Sequence, residues 1–143
     1  MFMDAENLFT ATAIDLEGTN GGVVYGDQAI NMGSTKDPGG GRPMYMVIVI
    51  DEAVTSANST GTIVFALVDE EDETITTTSV EIVQTDPLLV TRLTLGKVIV
   101  IPIPAGIITQ QYLGVRITIG GEDTTAGTAT IFLALDPLSN MGA

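Results

Sequence analysis

The stretch "QYLGVRITIG" (Gln111 to Gly120) restricts the fold of this chain more than any other. Leu113, Val115, Ile117 and Ile119 fall on one side, and Tyr112, Arg116 and Thr118 fall on the other. A period of two is the mark of an extended strand with one buried face. "GTATIFLALD" (Gly127 to Asp136) repeats the pattern, setting Ile131, Leu133 and Leu135 against Thr128, Thr130 and Phe132. "PMYMVIVID" (Pro43 to Asp51) and "GTIVFALVD" (Gly61 to Asp69) are nearly unbroken apolar runs, which suit strands covered on both faces. "TATAIDL" (Thr10 to Leu16), "SVEIVQT" (Ser79 to Thr85) and "LLVTRLTL" (Leu88 to Leu95) are weaker strand signals. Turn clusters such as "GTNGG", "KDPGGG", "SANSTG" and "GGED" separate the runs. No stretch of ten or more residues keeps a helical face. The chain is therefore expected to be all-β: an antiparallel β-sandwich of about eight strands with little or no helix. A jelly roll is its favoured form. An immunoglobulin-like sandwich is the alternative, without that fold's Cys and Trp.

"GKVIVIPIPAG" (Gly96 to Gly106) places five β-branched residues in the six from Val98 to Ile103, then interrupts them with prolines. N–H groups two residues apart on a strand point to the same edge. Pro102 and Pro104 thus remove two successive donors from one edge and leave the other able to pair. Val98 to Ile101 are expected to pair on either side. The 102–104 end is expected at a sheet edge or outside the sheet, where the prolines discourage edge-to-edge aggregation.

Composition narrows function. Eighteen acidic residues face five basic ones, for a net charge of −13. Phosphate backbones require clustered cations, and Lys36, Arg42, Arg92, Lys97 and Arg116 are scattered, so nucleic acid is not an expected partner. No apolar run approaches the roughly 18 residues of a membrane-spanning helix, and no membrane partner is expected. The N-terminus "MFMDAENLF" has no basic residue and does not read as a secretory signal. The chain has no Cys and no His, so disulfides, thiolate or imidazole metal sites and Ser-His-Asp catalysis are ruled out. Catalysis, a cofactor and a resident metal are not expected.

Several stretches invite a sharper reading. The acidic run Asp69 to Glu73 suggests a cation site, but it lacks the alternating ligands and central Gly of a calcium loop and reads as a solvated hairpin tip. "GSTKDPGGGRP" (Gly33 to Pro43) has the glycines of a phosphate loop but not the Gly-Lys-Ser/Thr order. It reads as a loop whose Lys36 and Arg42 dock on an acidic patch of a partner. Asp51 with Glu52 and Glu122 with Asp123 suggest a hydrolase's carboxylate pair, yet both sit where strands end, as solvated turn acids do. Residues 1–9 form either an arm that offers Phe2, Met3, Leu8 and Phe9 to a partner or a first strand packed on its own core. Residues 10–143 form one sandwich domain with a long Gly-rich loop at 17–42, within which Gly22 to Gly26 reads as a short edge strand.

The order "MFMDAENLF…ATAIDL", "GGGRPMYMVIVIDEAVT", "TIVFALVDEED", "VIVIPIPAG" and "QYLGVRITIGG…TAGTATIFLALD" resembles the capsid cement proteins of short-tailed phages, of the Bordetella-phage type. The resemblance covers nearly the whole chain. Its most specific pieces are Gly41-Arg42-Pro43-Met44-Tyr45 leading into "DEA", the "PIPAG" stretch, and "YLGV" with "TAG…LALD". It implies a jelly roll on the outside of the phage head, made in the cytoplasm of the bacterial host. Such a protein staples neighbouring major capsid protein subunits against internal DNA pressure, as a homodimer or, alternatively, a homotrimer. Phe2, Met3, Leu8, Phe9, Lys36, Arg42 and Tyr45 are the expected contacts. The alternative is a β-sandwich module on the virion that binds host or carbohydrate.

Overall fold

Inward rows spaced two residues apart bring two sheets face to face. The computed structural model describes residues 8–10, 12–32, 44–104 and 106–134. These residues form β1 (Ile14–Asp15), β2 (Val23–Tyr25), β3 (Ile30–Asn31), β4 (Met44–Ser56), β5 (Thr62–Glu70), β6 (Val80–Gln84), β7 (Leu88–Leu89), β8 (Val98–Ile103), β9 (Tyr112–Gly120) and β10 (Thr124–Ala134). One sheet has the order β1-β10-β4-β8. The other runs β2-β9-β5-β6, with β3 added on β9 and β7 on β5. The antiparallel partners are nested: β1 with β10, β2 with β9, β4 with β8, β5 with β6. A hairpin rolled up in this way is the jelly-roll topology. The expected edge strand at Gly22 to Gly26 is β2, paired to β9 through Val23, Val24 and Tyr25.

The core lies between the inward rows. Met44, Met46, Ile48 and Ile50 of β4 and Ile131 and Leu133 of β10 face Ile63, Phe65 and Leu67 of β5 and Leu113, Val115 and Ile117 of β9. Each large side chain removed from water contributes about 1.5–3 kcal/mol. Among the described residues, no helix is long and apolar enough to cross a membrane.

The run Leu88 to Leu95 departs from expectation. Only Leu88 and Leu89 pair as a strand, after which Val90–Arg92 wind into a 3-10 turn. Side chains three apart eclipse in such a turn. Val90 and Leu93 are therefore buried together at 2% and 1% exposure, and a period of three overrides the period of two. In β10, the register against β4 shifts between Thr124 and Ala129, around Gly127. Gly127 has φ +136, and a Cβ there would lie 2.7–3.1 Å from Val54. This bulge bends the long β4–β10 pair around the core.

Two chain crossings close one end of the sandwich: residues 57–61 from β4 to β5, and 121–123 from β9 to β10. Glu122 ties them. Its carboxylate accepts the Asn58 N–H at 3.0 and 3.1 Å, the Asn58 side-chain amide at 2.6 Å, and the Thr60 N–H and hydroxyl at 3.3 and 3.2 Å. Beside it, the Asp123 carboxylate accepts the Asn20 N–H at 2.8 Å. Hydrogen bonding from the Ser56 hydroxyl, then from Asn58 and Thr60, outweighs desolvation and lowers the Glu122 pKa from 4.5 to about 2. A depressed carboxyl pKa contributes stability above the unfolded value and loses it as pH falls through the folded one. Glu122→Gln is therefore expected to melt below the wild type at neutral pH. The gap should close as pH drops from 4.5 to about 2, measured by thermal denaturation across that window.

Candidate interaction surface

Residues directly opposed in a sheet share a face. The registers of β10, β4 and β8 therefore set out the outer face of the first sheet row by row. Ala134, Tyr45 and Pro102 form one row, Phe132, Val47 and Val100 the next, and Thr130, Val49 and Val98 the third. Leu8 bridges Phe132 and extends the middle row. Nine of these ten residues are apolar or aromatic, and the polar groups among them are Thr130 and the tyrosine hydroxyl. Val47 and Phe132 are buried at 0% and 1% exposure. Tyr45, Val49, Val98 and Val100 are half-buried, and Pro102 is exposed. Toward the crossings the face turns polar: the Thr130 hydroxyl donates to Asp51 at 2.6 Å.

Part of the outer face of the second sheet is covered by its own chain. Ile75, in the β5–β6 connection, lies directly on Gly114, where any side chain would collide with it. Arg116 holds that connection down. Its guanidinium donates to the Thr77 and Ser79 carbonyls at 3.1 and 3.3 Å and pairs with Glu81 at 3.1 Å. On the first sheet Val47 and Phe132 of the middle row are also buried, so the half-buried residues beside them, Tyr45, Val49, Val98 and Val100, are the part of that face suited to a partner.

One side of that face ends at β8, which pairs with β4 alone among the described residues. The Ile50 N–H donates to the Lys97 carbonyl at 2.9 Å, so position 97 and every second residue after it turn toward β4. Positions 98, 100 and 102 then turn outward. Pro102 lies on the free edge, as its missing N–H requires. All of β8 is an edge strand, including Val98 to Ile101, which the sequence had left free to pair on both sides.

The expected contact residues separate. Phe2, Met3, Lys36 and Arg42 lie outside the described residues. Leu8 and Tyr45 come together on the apolar outer face. Phe9, one residue on, points the other way. It is 0% exposed in the chain's own core, with its N–H donating to the Ile131 carbonyl at 2.9 Å, so it has no surface to offer. Val98, Val100 and Val49 complete the face and were not singled out. Their signal was the unbroken apolar run in β4 and β8, which calls for cover on both faces.

The acids are mostly engaged in structure. Asp69 is not a solvated tip residue. It faces inward, fully buried, and its Oδ2 accepts the Thr109 and Gln110 N–H groups at 3.0 and 3.2 Å. Its Oδ1 and the Gln110 Oε1 are buried without a hydrogen-bond partner. Glu70 accepts the Ser79 hydroxyl at 2.9 Å, and Asp72 accepts the Thr74 N–H at 2.8 Å. Among the described residues, no group of three or more carboxylates gathers as a metal site. A groove of about 720 Å³ lies at the β3 side, with Leu8, Ala29 and Ile30 in its lining and Asp27 and Glu73 as its acids.

In comparison with known proteins, the model of the Bbp16 family matches residues 8–133, almost the whole described sandwich. No curated protein matches the chain.

Two outcomes follow from this placement. Phe9→Ala should cost about 3–5 kcal/mol in urea unfolding, as a large core truncation does, rather than act as a neutral surface change. Pro102→Val should restore an outward N–H on the β8 edge. It should raise light scattering on heating without lowering the melting temperature by more than a few degrees.

Proposed function

We propose, from the premise that this chain belongs to the Bbp16 family of Bordetella-phage proteins, that it is a cement protein of the phage head. In this reading it seats on the capsid exterior and bridges neighbouring major capsid protein subunits, as a homodimer or a homotrimer. The observation that carries the reading is the apolar outer face of the first sheet, built on Tyr45, Val49, Val98 and Val100 and bounded by the free edge of β8. The net charge of −13 fits a position away from packed DNA.

The mechanism is mechanical. A stable contact buries roughly 1,600 Å² in total. A protein touching two capsid subunits gains further, because the first contact raises the effective concentration at the second. Shell opening then has to break both contacts. Hydrogen bonds along β8 would add register to apolar contact, since Val98 and Val100 keep outward N–H groups.

The test uses heads assembled without this protein and then supplied with it. Wild-type protein should bind and raise the temperature at which the heads release DNA. Tyr45→Asp with Val100→Asp should keep the far-ultraviolet spectrum of the sandwich and bind about tenfold or more weaker, a loss of about 1.4 kcal/mol or more. Unchanged binding by this variant would remove the face from the account. Failure of wild-type protein to bind any head would remove the cement reading.

A further inference from the structure

On a chain this acidic, exposed cations are scarce, and their placement is informative. Three basic residues lie among those described: Arg92, Lys97 and Arg116. Arg116 is engaged with Thr77, Ser79 and Glu81. Arg92 and Lys97 are both exposed, and neither forms a salt bridge. Between them stands Leu95, at 72% the most exposed large apolar side chain among the described residues.

The segment that presents Leu95 is rigid. The Lys97 N–H donates to the Thr94 carbonyl at 3.0 Å, closing a four-residue turn with Gly96 at its third position and φ +81. A turn with positive φ at that position favours Gly there, which leaves Leu95 as the outward second residue. The turn is pinned to β4 at both ends. The Gly96 N–H donates to the Ile50 carbonyl at 2.8 Å, and the Val54 N–H donates to the Leu93 carbonyl at 3.0 Å. Leu93 is 1% exposed and anchors the segment in the core. A leucine held in water on a fixed turn between two unpaired cations loses little further freedom on docking.

Its complement is present in the same molecule. The groove beside β3 has Leu8, Ala29 and Ile30 in its lining, with the exposed acids Asp27 and Glu73, neither in a salt bridge. It lies beyond the Glu70 end of β5. The Leu95 turn rests on Ile50 and Val54, in the half of β4 that leads to the 57–61 crossing. The two features therefore lie toward opposite ends of the sandwich and are suited to meet between molecules.

We propose that the Arg92–Leu95–Lys97 turn of one copy seats in the Asp27/Glu73 groove of a second copy, with leucine on the apolar lining and the cations on the acids. Reciprocated, this contact closes a two-fold pair. Unreciprocated, it propagates to a ring or a string. Opposite charge across the contact would speed the encounter and make it sensitive to salt. The contact would give the homodimer or homotrimer of the cement reading its surface, but it needs no capsid, so binding to heads can hold where this contact fails.

Sedimentation velocity of the full chain in solution tests it. Wild-type protein should associate with rising concentration, and less so in high salt. Arg92→Glu with Lys97→Glu, and separately Asp27→Lys with Glu73→Lys, should each weaken association about tenfold or more. An equimolar mixture of the two variants should associate again, because each reversed turn then meets a reversed groove. Leu95→Ser, at an exposed position that leaves the fold intact, should weaken association with no change in net charge. A wild type that stays monomeric overturns the proposal. So do charge-reversed variants that associate as the wild type does, or a mixture that fails to recover. Loss of capsid binding by Leu95→Ser with self-association unaltered would assign the turn to a capsid protein and also overturn it.

Discussion

Burial of inward rows between two sheets is the constraint on which the rest of this structure depends. With no disulfide available, the chain is held by apolar contact and ladder hydrogen bonds. The long central strands β4, β5, β9 and β10 supply most of both. Their nested pairing fixes where every loop emerges. The two crossings at 57–61 and 121–123 are brought side by side and clamped by Glu122. At the other end, buried Asp69 holds the approach to β9 through Thr109 and Gln110. Two carboxylates that a sequence reader would place in solvent thus close the two ends of the roll.

The same pairing leaves the two outer faces unequal. On the second sheet, Ile75 and Arg116 bring a loop down over β9. On the first, the rows through Tyr45, Val47 and Val49 stay apolar and end at a strand edge whose outward donors stop at Pro102. A sheet face apolar on its outside is costly for a free protein and useful for one whose place is against another surface. This is the physical content of the cement reading.

Much of this was legible in the sequence. The alternation in Gln111 to Gly120 gave β9 and its buried face. The near-continuous runs gave β4 and β5. The two prolines gave the edge position of the 102–104 end of β8, but not that of Val98 to Ile101. What could not be read was information held by register. Leu8 and Phe9 look alike as neighbours in an apolar segment, yet pairing with Phe132 and Ile131 sends one outward and the other into the core. Asp69 heads a run of five acids, but it continues the inward parity of Ile63, Phe65 and Leu67 and so is buried. In Leu88 to Leu95, strand-like alternation and the three-residue spacing of Val90 and Leu93 competed. The latter prevailed, and both side chains are buried in the core.

Amide hydrogen exchange of the protein, free and then bound to heads, tests the central claim most directly. In the free protein the outward amides of Val98 and Val100 have no partner strand among the described residues and should exchange fast, while those of Ile99 and Ile101 are protected by β4. On binding, the account predicts that Val98 and Val100 slow markedly. Protection confined to the 57–61 and 121–123 crossings, with Val98 and Val100 still exchanging freely, would contradict it.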